Sequence, residues 1–503
     1  MHSLVGDLVL VRFAAQREGL LHRRLYNALR QAILDKSLAP QTRLPASRDL
    51  AAQLGISRNS VITVYEQLLA EGYVTARQGS GTWVAQILPD NVFHPQARGD
   101  ALSQPATAPV FSRRGQQLLN NISASPSQWG AFIPGVPDVS AFPHQRFSKI
   151  QARISRRPAP RQLTYSNNGG SPALQQALVE YLRVARSVNC NAEHILIVEG
   201  VHQAIDLVTR MLTNPGDRAW IEEPSYWGIR HILQMNDVTL CPIDVDQAGM
   251  APPETVDAHP RLIFVTPSHQ YPLGPVMSLE RRQRLLNIAA RHPCWIVEDD
   301  YDSEFRFSGQ PIPALQGLVP DAPVIYIGTF SKTLYPGLRL GYLVLPPALA
   351  ESFRKAHAEL YRSGHSLIQS ALAEFIESGL YTAHIRRMRL LYSKRRALLC
   401  QLITRTFGPQ ALNDFNDNAG LHLVLHLPGE ADDVAIAAHA NAQGILVRAL
   451  SRYYVGSAKR RGLLMGFASI TEEQMPQAFE RLVESVRLFC PQALLFCENK
   501  SIL

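Results

Sequence analysis

Long apolar runs are missing from this chain: no stretch approaches the roughly 18 uninterrupted apolar residues that a membrane-spanning helix needs. The first twenty residues mix Asp7, Arg12, Arg17 and Glu18 among apolar ones. They lack the basic start, apolar core and small-residue cleavage site of a secretion signal. Cysteine is scarce as well, with six in 503 residues, at Cys190, Cys241, Cys294, Cys400, Cys490 and Cys497. None of the six stands at a paired metal-ligand spacing, so neither a disulfide framework nor a zinc site is expected, and no metal is assigned. Scattered thiols in a long chain suit a reducing compartment, and a cytoplasmic protein is the expectation. Internal repeats are absent, which argues against a solenoid.

What is present is length, enough for two or three domains with a large central one. The net charge is +8, a balance that suits a polyanionic partner. Residues 1–85 hold ten Lys/Arg against six Asp/Glu, so half of the excess falls in about a sixth of the chain.

That basic region has a recognisable rhythm. From Leu21 the apolar positions Leu25, Leu29, Ile33 and Leu34 recur at helical spacing and stop near Pro40. Ser47 is expected to cap a second, short helix through the N–H groups around Asp49 and Leu50, and Gly55 to end it. A third helix starts at Ile56-Ser57 and runs to about Ala70, burying Val61, Val64, Tyr65 and Leu68. Two short helices joined by a glycine turn form a helix-turn-helix. Tyr73 to Ala76, a tip at Arg77-Gln78-Gly79-Ser80-Gly81 and the return Thr82-Trp83-Val84 add a β-hairpin wing.

A recognition helix offers polar side chains from its first turn, because that end enters the major groove and its free N–H groups face phosphates. Ser57, Arg58, Asn59, Ser60 and Thr63 supply them. Arg58 can address guanine bidentately and Asn59 adenine or a phosphate. Arg43, Ser47 and Arg48 fall where the preceding turn and helix would meet the backbone, and Gly79 and Gly81 let the wing tip pass close to the minor groove. The competing reading is a winged helix used only for protein contacts. We place this domain at residues 15–85.

Residues 86–128, rich in Pro, Gln, Ala, Ser and Asn, read as a linker or irregular arm. From residue 129 to about 488, short apolar strands alternate with helices: Ile195 to Val198, Arg218 to Ile221, Leu262 to Val265, Trp295 to Val297 and Val324 to Ile327 are strands. That alternation predicts an α/β domain with a mostly parallel sheet. Its large lobe ends near 346, a smaller α+β lobe follows, and residues 489–503 form a tail.

The chemistry of the second domain centres on Lys332, just past the strand Val324 to Gly328. An amine held at a strand end is suited to a Schiff base with an aldehyde cofactor. Thr329, Ser331 and Arg339 place hydroxyls and positive charge nearby for a phosphate, and Val201 and His202, at the start of a helix after Gly200, add N–H groups. In Trp295-Ile296-Val297-Glu298-Asp299-Asp300-Tyr301, period-two geometry puts Asp299 and Tyr301 on one side and Asp300 on the other. Asp299 is the candidate partner of a pyridine nitrogen, Tyr301 a donor to a phenolic oxygen and Tyr226 a stacking ring. Residues 266–274 would line the opening. Each feature alone is ordinary structure; their joint placement at strand ends, where α/β folds bind ligands, is what points to a site.

Residues 21–85 resemble the GntR-type bacterial regulators through Leu44-Pro45-Ala46-Ser47-Arg48, Gly55-Ile56-Ser57-Arg58, Tyr65, Glu71-Gly72 and Gly79-Ser80-Gly81-Thr82. Ile133 to Leu488 resembles the fold-type I aminotransferases. Together they resemble the MocR/GabR regulators. That resemblance implies pyridoxal 5'-phosphate bound to Lys332, with Asp299, Tyr301, Tyr226 and Arg339 in the roles just given. It also implies operator DNA contacts from Arg43, Arg48 and Arg58, and a head-to-tail homodimer.

The chain departs from the enzymes in two places. Tyr271 stands where they usually have Asn, and Leu464 stands where they carry the arginine that grips a substrate carboxylate. Relatives that sense γ-aminobutyrate have a second arginine where this chain has Gly228. Arg448 or Arg452 are the available substitutes. The expected function is a transcription regulator whose operator binding responds to pyridoxal 5'-phosphate or to an amine reacting with it, with at most residual or half-reaction transamination. An active aminotransferase that retains a DNA-binding domain, or a structural module with neither activity, are the alternatives.

Overall fold

Leu25, Leu29, Leu50, Val61, Val64 and Leu68, all without solvent exposure, hold three helices together near the start of the chain. These helices are α2 (Leu21–Leu34), α3 (Ser47–Leu54) and α4 (Arg58–Ala70), preceded by α1 (Leu4–Ala15). The computed structural model describes residues 4–16, 19–77, 80–86, 111–122, 127–254, 259–309, 312–362, 364–412 and 419–494. By its internal contacts the chain divides into two units, Met1–Val110 and Phe111–Leu503.

In the first unit α3 closes at Gly55, whose left-handed φ of 64° is a conformation that glycine adopts without strain. Ser57 caps α4, its Oγ accepting the Ser60 N–H at 3.1 Å. The cap expected at the start of α3 is different from the sequence reading. Ser47 is the first helical residue and Ala46 the cap, with no side-chain hydrogen bond. The Asp49 and Leu50 N–H groups donate instead to the Ala46 carbonyl, at 2.9 and 3.0 Å. The wing pairs β1 (Val74–Arg77) with β2 (Gly81–Val84), from Val74 opposite Val84 to Arg77 opposite Gly81.

Helix α1 buries Val9 and Phe13 in the same core. Arg24 donates to the Phe13 carbonyl at 3.1 Å and lies over its ring, and Gln53 donates to Asp7 at 2.7 Å. The winged helix-turn-helix thus carries a helical strap ahead of its first expected element.

The second unit begins with α5 (Arg113–Asn120), inside the stretch read as linker or irregular arm. Ser112 caps it through the Gly115 N–H. Arg113 reaches Asp237 at 3.3 Å and Arg114 the Met235 carbonyl at 3.1 Å. Local capping and docking on the following domain override a composition that looked featureless.

The central sheet has eight strands: β3 (Ile195–Val198), β4 (Arg218–Glu223), β5 (Thr239–Asp246), β6 (Gly249–Met250), β7 (Leu262–Val265), β8 (Trp295–Asp300), β9 (Val324–Thr329) and β10 (Gly341–Val344). Their spatial order is β3-β10-β9-β8-β7-β4-β5-β6. The five from β9 to β5 run parallel, while β10 and β6 pair antiparallel to their neighbours. Burial on both faces explains the unbroken apolar runs. Along β3, Ile195 and Ile197 enter one core cluster and Leu196 and Val198 another.

The smaller lobe carries a three-stranded antiparallel sheet in the order β11 (His422–Leu427), β13 (Arg461–Gly466), β12 (Arg448–Ala449). The helices Asp433–Ala442 and Met475–Phe489 contribute Ile436, Leu482 and Val486 to its core, beside the long helix Leu380–Phe407. Among the described residues no helix is long and apolar enough to cross a membrane, and the five cysteines are all free.

Candidate functional site

Parallel strands end together, and the carboxyl ends of β4, β7, β8 and β9 bring four loops to one cavity of about 310 Å³ in the second unit. Lys332, Asp299, Tyr301, Tyr226, Thr329, Ser331, Arg339, Val201 and His202 all line it. The nine positions drawn from spacing therefore converge on one space.

Alternation along β8 decides the acids. Asp299 faces the cavity, whereas Asp300 turns away to meet Arg186 Nε at 2.7 Å and the Tyr326 hydroxyl at 2.6 Å. Asp299 is buried, and its Oδ1 has no hydrogen-bond partner. Burial, then the neighbouring Asp300, push this carboxyl up to about 7. An orphaned carboxylate oxygen in a cavity wall costs free energy unless a donor arrives.

The Lys332 amine donates to the Gly135 carbonyl at 2.7 Å. Burial lowers its pKa from the ordinary lysine value, against the pull of Asp302 and Asp299. Gly135 is read only after folding: a Cβ there would stand 2.8 Å from the amine.

Tyr301, with its pKa raised by burial, shares a 2.9 Å hydrogen bond with His269 Nδ1, which also lies 3.0 Å from Asp302. Tyr226 is held by His202 Nε2 at 2.7 Å. Burial, then Arg339, lower the pKa of His202, which favours a neutral ring that can share one proton with the tyrosine.

Arg339 donates to the Glu199 carbonyl at 2.8 Å and lies against Gly200, where a Cβ would stand 3.4 Å from its Nη1. Gly200, with φ 86°, starts the helix Val201–Leu212 with no side-chain cap. The Ser331 N–H donates to Thr329 Oγ1 at 3.1 Å.

Sequence reasoning missed the support behind these residues. His269, Asp302 and His422 come together in three separate segments, with ligating atoms within 4.8 Å of one another. His422 is pushed down to about 3 by burial, then by His269. No spacing rule joins residues so far apart. Tyr271 lies edge-on to Tyr226 and Tyr301, and its hydroxyl meets that of Tyr453 at 3.2 Å. Leu464 is fully buried behind this wall. Of the two substitute arginines, Arg448 lines the cavity and Arg452 does not.

In the first unit, Arg43, Arg48, Ser57, Arg58, Asn59 and Thr63 are exposed, and Ser47 and Ser60 are half-buried. Arg43, Arg48 and Arg58 have no acidic partner among the described residues. Arg58 Nε reaches Ser47 Oγ at 3.5 Å, joining the two helices at their N-terminal ends. Arg43 and Arg77 both lie over the Trp83 ring, at 5.9 and 5.1 Å, which draws them to the wing. Gly81, with φ 98°, passes beside Arg43. Gly79 lies outside the described residues. The Tyr65 hydroxyl donates to the Pro45 carbonyl at 2.9 Å and fixes the turn that presents Arg43 and Ser47.

Comparison with known proteins agrees with this division. Residues 21–84 match the bacterial regulatory proteins of the gntR family, and residues 145–482 match aminotransferase class I and II. The chain is 41% identical over 467 residues to the probable rhizopine catabolism regulatory protein MocR of Rhizobium meliloti, covering 92% of this chain and 93% of that one. It is 30% identical over 469 residues to the pyridoxine biosynthesis transcriptional regulator PdxR of Corynebacterium glutamicum, covering 92% and 96%.

Among solved structures, the multiple substrate aminotransferase of Thermococcus profundus superposes with a TM-score of 0.65 at 25% identity, covering 75% of this chain and 97% of that one. This likeness implies a pyridoxal-phosphate-binding site in the second unit, and the orphaned Asp299 oxygen, the buried amine and the uncapped helix start fit such a group. The chain belongs to the MocR-type transcriptional regulators, in which a gntR-family winged helix-turn-helix precedes a fold-type I aminotransferase-like domain.

Proposed function

We propose that pyridoxal 5'-phosphate is held on Lys332, and that the state of this site sets the affinity of the winged helix-turn-helix for operator DNA. The observation that carries the reading is the buried Asp299 oxygen without a partner, in the same cavity as the Lys332 amine. When bound, the cofactor supplies an aldehyde to an amine and a ring that draws electrons once its nitrogen is protonated.

The chain's own residues do the rest. Burial favours the neutral, nucleophilic form of Lys332. Asp299 holds a proton at the ring nitrogen, and Tyr301, oriented by His269, donates to the phenolic oxygen. Tyr226, fixed by His202, would pack against the ring. Arg339, Thr329, Ser331 and the first N–H groups after Gly200 receive the phosphate.

Arg58 and Asn59 read bases from the start of α4, with Ser57, Ser60 and Thr63 beside them. Arg43, Ser47 and Arg48 hold the phosphates, and the wing at Gly81 follows the minor groove. The chain acts as a head-to-tail homodimer in the cytoplasm. Occupancy of the cavity by the cofactor, or by an amine reacting with it, favours one arrangement of the paired DNA-reading units. Such a ligand must bind the two arrangements unequally to shift anything.

Replacing Lys332 with Ala tests the reading: the visible absorbance of cofactor-loaded protein and the effector response are lost, while operator binding persists. A full effector response in that variant sinks the lysine-centred mechanism. The likeness to a multiple substrate aminotransferase favours a second reading, a working enzyme. Sustained turnover with an amino donor and a keto acceptor would establish it.

A further inference from the structure

We infer that Arg448 is the anion clamp of the cavity, and that the effector is an amine carrying a single carboxylate. This rests on the cofactor-centred reading above.

The carboxylate-gripping arginine of the enzymes is replaced by Leu464 on β13. In the antiparallel pair β12–β13, Arg448 stands directly opposite Leu464. Opposed residues of such a pair project from the same face of the sheet, with Cα atoms about 5 Å apart. Arg448 thus places a positive charge one strand away from position 464, on the same face.

Three observations carry the argument beyond register. Arg448 lines the cavity together with Lys332, Asp299 and Tyr226. It is half-buried and has no acidic partner among the described residues, so it carries an unmatched charge where solvent is restricted. Its charge acts on Tyr271 and Tyr453, the tyrosines whose hydroxyls meet beside the fully buried Leu464. A carboxylate placed there meets the guanidinium and two hydroxyls.

Among the described residues, the other arginines nearby are committed. Arg230 gives its two terminal nitrogens to the carbonyls of Tyr454 and Arg452, at 2.7 and 2.8 Å. Arg339 gives a terminal nitrogen to the Glu199 carbonyl at 2.8 Å and is taken by the phosphate in the reading above. Position 228 offers no space either, since a Cβ on Gly228 would stand 2.5 Å from Tyr226 Cε1 and 2.6 Å from His202 Nε2. Among the described residues lining the cavity, Arg448 is the cation left to the effector. Around it, Trp227, Tyr271 and Tyr453 form aromatic walls suited to an apolar body.

The test titrates full-length, cofactor-loaded protein with matched pairs: L-alanine against ethylamine, L-leucine against isopentylamine, L-phenylalanine against 2-phenylethylamine. Visible absorption and thermal stabilisation are both recorded. The carboxylate-bearing member of at least one pair binds roughly 10- to 100-fold more tightly, the range for a charge-assisted hydrogen bond. Arg448→Gln abolishes that preference, and Arg448→Lys, which keeps the charge and serves should the glutamine variant not fold, retains part of it.

Equal binding of acid and amine by the wild type overturns the clamp while leaving the cofactor reading intact. So does a preference that survives in Arg448→Gln. Cofactor that attaches while no amine of either kind binds removes the amine effector, and the clamp with it. Protein that never takes up cofactor removes the reading itself.

Discussion

The two units present their functional side chains in opposite ways. In the first, Arg43, Arg48 and Arg58 stand in solvent with no acidic partner among the described residues, on a scaffold with a buried apolar core. In the second, Asp299, Tyr301 and Asp302 are buried, and His269 joins Tyr301 to Asp302. Exposed charges act through a screened field, so their contributions are graded, roughly additive and sensitive to salt. Buried groups act through fixed geometry in a poorly solvated space, where losing one strands another. DNA affinity should therefore be tunable in small steps, and cofactor capture should fail abruptly.

The sharpest way to break this contrast is Asp299→Asn. It removes the charged acceptor for a ring nitrogen, and cofactor affinity should fall by roughly 10- to 100-fold, the value of a hydrogen bond to a charged group. The same variant has an opposite effect on cofactor-free protein. In the folded chain this carboxyl is raised to about 7 from an ordinary value of 3.8, by burial first. A raised acid contributes its full stability below the unfolded value and loses it as pH climbs through the folded one. Stability from this group thus declines between about pH 4 and pH 7. Calorimetry of cofactor-free Asp299→Asn should give a melting point a few degrees above wild type at pH 8 and no gain at pH 4; a lower melting point at pH 8 contradicts the burial cost.

Arg58→Ala measures the exposed side. Discrimination between operator and a singly mismatched site should fall by about tenfold, within the roughly 1–3 kcal/mol of a base contact. A loss equal on both sequences, accompanied by a shallower salt slope, would make Arg58 a phosphate contact instead. Ser57→Ala should have the smallest effect. It removes the cap on the Ser60 N–H, worth about 1 kcal/mol, and should lower the first unit's melting point by a few degrees without touching the cofactor spectrum. A spectral change in that variant would tie the units together more closely than this contrast allows.

Much of the candidate site was legible, in that its residues meet at one cavity, because it is written in local terms. Lysine after a strand, glycine before a helix and alternation along Glu298-Asp299-Asp300-Tyr301 each depend on a few adjacent residues. Five strands of the central sheet were legible for the same reason, through apolar runs such as Leu262–Val265, while β5, β6 and β10 were not foreseen. Elements set by distant partners were not. Strand β12 is two residues long, and only its register against β13 puts Arg448 opposite Leu464. His269, Asp302 and His422 meet through folding alone.

Helix α1 escaped notice because its apolar residues lie all round the helix and leave no stripe. The start of α3 was misread by a single residue: the Ala46 carbonyl accepts the bonds expected of the Ser47 hydroxyl. Helix α5 was hidden by the polar composition around it, although Ser112 capping the Gly115 N–H is a local signal that could have revealed it.

The crowding at Gly228 bears on what the cavity wall can accommodate. A side chain there would strike the Tyr226 ring and the His202 nitrogen before reaching the cavity, and those two are bonded to each other at 2.7 Å. A side chain at 228 therefore requires the His202–Tyr226 pair to shift. The absence of a Cβ at that position is what lets the two rings meet.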